Sequence, residues 1–247
     1  MNSRVYYPAG STDAIVYAAR ALRRKGCAVA CEPGASVTHL MLDIPSFASD
    51  GSLRGGGSLD ALLASLPESI SIIGGNLAEH IPKSIPFIDL LQDHLYLAQN
   101  AGITAHCALQ VAMEALPVTL DSCPVFVVGW GRIGKCLAAL LKQLGANVAV
   151  YARKETDRAI LSALGYTIQP IHDTPYGPLP YRAIFNTVPA PVLTAEFLRA
   201  CPADCVKIEL ASTQGFAGSD VIVARGLPGK YAPESSGELI ARTILRL

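Results

Sequence analysis

Charge is scarce in this chain. Among its 247 residues, 20 are Lys or Arg and 20 are Asp or Glu, a formal net charge of zero. No basic stripe marks a nucleic-acid surface, and no acidic tail marks a disordered arm for a partner. No apolar run reaches the length of a membrane span. The N-terminus, MNSRVYYPAGSTDA, lacks a charged segment leading into an apolar core, so no secretory signal is expected. The protein is therefore read as cytoplasmic, with neither nucleic acid nor membrane as a partner.

Tight CxxC knuckles are missing too, although seven cysteines are present. Cys27 with Cys31 and Cys201 with Cys205 form CxxxC pairs, and Cys107, Cys123 and Cys136 lie among apolar residues. Zinc ribbons need closer spacing. The expectation is reduced thiols acting as small hydrophobes, and no metal site.

Apolar residues are plentiful, at 51% of the chain, and their pattern carries the fold. Short runs at 4–7, 27–31, 39–43 and 70–74 read as buried strands, and 12–25 and 59–66 as helices closed by Gly26 and Pro67. The run GSLRGGGS at 51–58 is a loop. From Asp89 the pattern turns continuously helical, with a break expected at Gly102, a second helix capped by Thr104, and a connector with a hinge between two α/β units. Further strands are expected at 147–151, 166–169, 183–190 and 206–212. Helices are expected at 157–164 and 238–247, and a Pro- and Gly-rich loop at 173–180.

The stretch 125–135 reads VFVVGWGRIGK, an apolar strand feeding Gly129, Gly131 and Gly134 in GxGxxG spacing, with a helical segment after it. Such a turn needs one glycine for its bend, one for close approach of a pyrophosphate, and one for helix–strand packing. The amides of the helix N-terminus then face the phosphates. Strand 147–151 ends in Tyr151, Ala152, Arg153 and Lys154, with no carboxylate to hold a ribose 2′-hydroxyl. Arg153 and Lys154 can instead pair with a 2′-phosphate, so NADP is favoured over NAD.

The expected fold class is therefore α/β with two domains: a C-terminal NAD(P)-binding Rossmann fold, a doubly wound parallel sheet, and a smaller N-terminal α/β domain. Its boundaries are read as 1–98 for the first domain and 99–233 for the second, with helix 234–247 packing back on the first. Gly129, Trp130, Gly131, Arg132, Ile133 and Gly134 are assigned to the pyrophosphate turn. Tyr151, Arg153 and Lys154 are assigned to the adenosine ribose. Ligands gather at the carboxyl ends of strands in such sheets. Asn186, Thr187, Val188 and Pro189 are accordingly assigned to the nicotinamide side.

Four segments resemble the A subunits of dipicolinate synthase: 89–114 (DLLQDHLYLAQNAGITAHCALQVAME), 125–154, 183–193 (AIFNTVPAPVL) and 224–241 (ARGLPGKYAPESSGELIA). The resemblance implies an NADP-dependent oxidoreductase that makes dipicolinate from a dihydro or hydroxytetrahydro precursor of the lysine pathway, in sporulation. It also implies a partner, the flavoprotein-like B subunit, and a homo-oligomer is compatible with the sequence. His106 stands where the family carries a glutamate, and a histidine suits proton transfer. It is taken as the catalytic acid or base, ahead of His94. His39, His80 and His172 are read as surface or loop groups. A dicarboxylate substrate would meet Thr104, Ser212, Gln214, Arg225 and Lys230, the last two flanking a turn at 226–229. Two rivals stand beside this reading. One is a two-domain 2-hydroxy-acid dehydrogenase, against which the lack of a late histidine counts. The other is a nucleotide-binding regulatory or scaffold protein without turnover.

Overall fold

Strands that are buried on both faces need near-continuous apolar runs, and parallel strands need a crossover between neighbours. The chain meets both demands twice. A computed structural model of the protein describes residues 4–48, 50–171 and 177–247. His172 and positions 173–176 of the expected loop lie outside them. The chain divides into two compact units, Met1–Asn100 with Pro228–Leu247, and Ala101–Leu227.

The first unit runs β1 (Val5–Pro8), α1 (Asp13–Arg24), β2 (Ala28–Val29), β3 (His39–Met41), α2 (Leu59–Leu63), β4 (Ser71–Gly74) and β5 (Phe87–Asp89). Its sheet has the order β2-β1-β3-β4-β5, and every pair is parallel. Leu40, Ile72 and Ile73 lie almost wholly buried in it. His39 belongs to β3, half-buried and tilted against the Tyr6 ring at 5.1 Å, which corrects its reading as a surface or loop group. His80 is exposed and stacks on Phe47 at 4.1 Å.

The expected helix from Asp89 is also corrected. Residues 87–89 form β5, a short 3-10 turn follows, and α3 is one helix from His94 to Ala115. Gly102 does not break it, and Thr104 is an interior, buried residue rather than a cap. A lone glycine costs a helix only ~1 kcal/mol. The buried row Ala101, Ala105, Ala108 and Ala112 outweighs that by packing.

Asp93 precedes α3, and its two carboxylate oxygens accept from the Tyr96 backbone N–H and from Arg246 Nη2, each at 2.7 Å. Arg246 lies on α8 (Pro233–Arg246), which packs along α1. The close contact depends on Gly237, where a Cβ would come within 2.5 Å of Tyr17 and 2.6 Å of the Ala14 carbonyl. The hydrogen bond from Arg246 holds the Asp93 carboxyl below its ordinary value of 3.8. A lowered folded-state value means that the contribution is complete above the unfolded value and fades as pH falls through the folded one. Asp93→Ala should therefore lower the melting temperature by ~2–4 °C at neutral pH, mostly through the lost cap. Thermal melts down to acid pH should show the gap to wild type narrowing below pH ~4. A constant gap would mean that the ionised form adds nothing.

The second unit continues with β6 (Pro124–Val128), α4 (Arg132–Gln143), β7 (Asn147–Tyr151), α5 (Glu155–Ala163), β8 (Thr167–Ile168) and β9 (Ala183–Asn186). Then come α6 (Ala195–Arg199), β10 (Val206–Glu209) and β11 (Ile222–Val223), and α7 (Leu227–Tyr231) begins at the unit's end. The sheet order is β8-β7-β6-β9-β10-β11, again parallel throughout. Counted along the unit this is 3-2-1-4-5-6, the doubly wound order whose switch point lies between β6 and β9. Val125 to Val128 and Ala183 to Asn186 are fully buried there. Phe126 stacks on Tyr181 and Phe197 on one face.

Of residues 226–229, expected as a turn, Gly226 is a bend with φ of 65° and 227–229 instead open α7. Strand β9 stops at Asn186 because the chain folds back there, with the Ala190 N–H donating to the Val188 carbonyl at 2.9 Å. Among the described helices none is long and apolar enough to cross a membrane.

Candidate functional site

The GxGxxG turn leaves the end of β6, and each glycine meets a different demand. Gly129 has φ of 110°, a region that costs side chains dearly, and a Cβ there would strike Thr187 Oγ1. Gly134 lies in the first turn of α4, where a Cβ would strike the Gly129 carbonyl oxygen. Gly131 has no atom within 4 Å of its Cβ position and is the N-cap of α4, with no side chain capping the helix. The open space over Gly131 and the uncapped amides beyond it suit a phosphate group. The Gly129 N–H donates to the Tyr151 carbonyl at 3.0 Å and Thr187 Oγ1 to the Val128 carbonyl at 2.9 Å, tying the turn to both neighbouring strands.

A cavity of about 610 Å³ opens at these strand ends, within the size of small-molecule sites. Gly129, Trp130 and Gly131 contribute one wall; Tyr151, Ala152, Arg153, Lys154 and Asp157 contribute the β7 side. Val188, Pro189, Ala190 and Val192 contribute the β9 side. Among the described residues no ion pair commits Arg153 or Lys154. Arg158 donates through Nη1 to the carbonyls of Ala152 (3.3 Å) and Arg153 (2.7 Å), holding the backbone that presents them. Asp157 sits in the first turn of α5, where helix amides favour a carboxylate.

Eight of the residues assigned to the cofactor thus line one cavity, while Arg132, Ile133, Gly134, Asn186 and Thr187 do not. Asn186 is fully buried, its amide spent on Val188 and on Glu209. The residues assigned to catalysis and substrate do not join this cavity lining. Thr104 is buried in α3, and His106 is exposed on the same helix. Ser212 is exposed after β10. The Gln214 amide donates to the Phe216 and Gly218 carbonyls at 3.1 and 2.8 Å, and Arg225 Nε donates to the Ala211 carbonyl at 3.0 Å. Lys230 lies on α7 with its Nζ 5.1 Å from the Tyr231 ring centroid.

Two residues escaped the sequence reading. Arg158 lies on α5, and no spacing in the sequence marks it. Glu209 is wholly buried, and its one signal is a lone acid in the apolar run VKIELAS.

No family model matches the chain. The A subunit of dipicolinate synthase from Bacillus subtilis (strain 168) is 27% identical over 158 residues, which cover 60% of this chain and 52% of the relative. The match thus spans about half the length of that relative. The crystal structure of the dipicolinate synthase A subunit from Bacillus halodurans superposes with a TM-score of 0.81 at 20% identity, covering 100% of this chain and 97% of that one. A transhydrogenase from Sinorhizobium meliloti follows at 0.73 and 14% identity, over 98% of this chain and 92% of that one. At these identities the structural likeness establishes the fold alone, two α/β units with parallel sheets. In sequence over 60% of its length, and in fold over all of it, the chain is similar to the A subunit of dipicolinate synthase.

Proposed function

We propose that the chain is an NADP-dependent oxidoreductase acting as a dipicolinate synthase A subunit. The observation that carries the cofactor choice is the pair Arg153 and Lys154, uncommitted to ion pairs among the described residues, lining the same cavity as Gly129 and Gly131. A 2′-phosphate would find two cations there, and residues 152–154 directly after β7 carry no carboxylate, that of the cavity lining being Asp157 on α5. Bound in this cavity, NADP would accept hydride from dihydrodipicolinate, leaving the aromatic pyridine once a proton also departs. The chain's part is to hold the pyrophosphate over Gly131 and the amides of Arg132, Ile133 and Gly134, and to seat the nicotinamide against Val188 and Pro189. His106 is assigned the proton, and Ser212, Gln214 and Arg225 the substrate carboxylates.

A flavoprotein-like B subunit is the proposed partner, in a cytoplasm that supplies NADP and keeps thiols reduced. A second reading, a nucleotide-binding protein without turnover, draws on one observation: His106 is not part of the cavity lining. Mixing the purified protein with NADP and freshly generated dihydrodipicolinate, with and without its B partner, separates the two. The oxidoreductase should release a pyridine chromophore and NADPH in equal amounts. NADP binding with no product in either mixture would favour the second reading and sink the first.

A further inference from the structure

Glu209 carries a carboxylate with no exposure at all, a placement that costs several kcal/mol unless donors satisfy it. Three donors do. Asn186 Nδ2 donates to Oε1 at 2.8 Å, the Ala211 N–H to the same oxygen at 3.0 Å, and the Gly215 N–H to Oε2 at 2.6 Å. All three lie at or beyond the carboxyl ends of β9 and β10, on the side of the sheet where the cavity opens.

Asn186 is the link from this group to the cavity. Its Nδ2 also donates to the Val188 carbonyl at 2.9 Å, and its Oδ1 accepts the Val188 N–H at 3.1 Å. Val188 is thereby held at both of its backbone polar groups. Its side chain reaches the Gly129 turn, with Cγ2 3.0 Å from the place a Gly129 Cβ would take. An asparagine amide presents a donor on one side and an acceptor on the other, and turning it over would set like against like at both Val188 groups. A carboxylate only accepts, so Glu209 selects the single amide orientation that grips Val188 correctly. An apolar residue would fill the space without making that choice.

We propose that Glu209 is a positioning residue: through Asn186 it fixes Val188 and Pro189, and so shapes the β9 side of the cavity for the nicotinamide ring. The inference rests on the dinucleotide reading above. It separates the two sides of the cavity, because among the described residues the bonds of this network run to Asn186, Val188, Ala211 and Gly215 and not to Arg153 or Lys154 on the β7 side.

The test compares NADPH with 2′-phospho-ADP-ribose, which keeps the adenosine end and lacks the nicotinamide. Trp130, the chain's single tryptophan, lines the cavity and reports binding by its fluorescence. Glu209→Gln puts an N–H₂ where an oxygen accepted, and Asn186→Ala removes the link while leaving Glu209 its two backbone donors. Either variant that folds should bind NADPH ~10-fold more weakly than wild type and 2′-phospho-ADP-ribose within ~2-fold of it. Unchanged NADPH affinity, or equal loss of both ligands, overturns the positioning role while wild-type binding keeps the cofactor reading intact. Failure of the wild-type protein to bind either nucleotide overturns both.

Discussion

Arg153→Asp should weaken NADP binding by ~100-fold while NAD binding changes by less than ~3-fold. The substitution removes a guanidinium and puts a carboxylate where the 2′-phosphate would lie, so attraction turns into repulsion. NAD carries a hydroxyl at that position, which can donate to a carboxylate. The exposed setting of Arg153 makes the effect sensitive to salt, and raising ionic strength should narrow the difference. Arg158 keeps the Ala152 and Arg153 carbonyls in place, so the change acts on the side chain rather than on the loop. Titration of both cofactors against wild type and variant reads the outcome. Equal weakening of the two would refute the assignment of this corner to a 2′-phosphate.

The glycines of the turn should separate binding from stability. Gly134→Ala forces a methyl against the Gly129 carbonyl oxygen, backbone against which nothing yields cheaply. Overpacking of this kind costs ~1–3 kcal/mol, a fall of ~2–12 °C in melting temperature for a chain of this size. Gly131→Ala meets no atom within 4 Å, and the φ of −81° and ψ of −169° there suit any residue. Its melting temperature should therefore match wild type. The added methyl would nevertheless occupy the space over the α4 N-terminus, and nucleotide binding should fall ~10–100-fold through lost contact with the amides. Gly131→Ala binding NADP as wild type does would remove the pyrophosphate from this turn.

Local pattern was enough wherever a residue's job is settled by its immediate neighbours in the chain. The strand-turn-helix at 125–143, the cation pair ending β7 and the parallel α/β alternation all belong to that class. Each depends on a period of two or 3.6 residues, or on a glycine that only a tight turn explains. Sequence reading went astray where distant packing decides. Gly102 and Thr104 carry helix-breaking and helix-capping signals, yet the buried alanine row of α3 outweighs them. The segment GLPG looks like a turn, yet only Gly226 bends there and LPG opens α7, since Pro is well tolerated at the start of a helix.

The amino-acid sequence by itself therefore determined the two-part α/β design, the glycine turn and the cationic end of β7, because these follow from short-range sterics and charge. Only the tertiary structure decided which assigned residues share a cavity. Strand order brought the ends of β6, β7 and β9 together, and their residues are far apart in the chain. The same order put Glu209 beside Asn186, 23 positions away, and turned a polar residue that looked like a ligand contact into a buried hydrogen-bonding link. A hydrogen bond between parallel neighbours leaves no trace in spacing, since it exists only once the sheet has set their register.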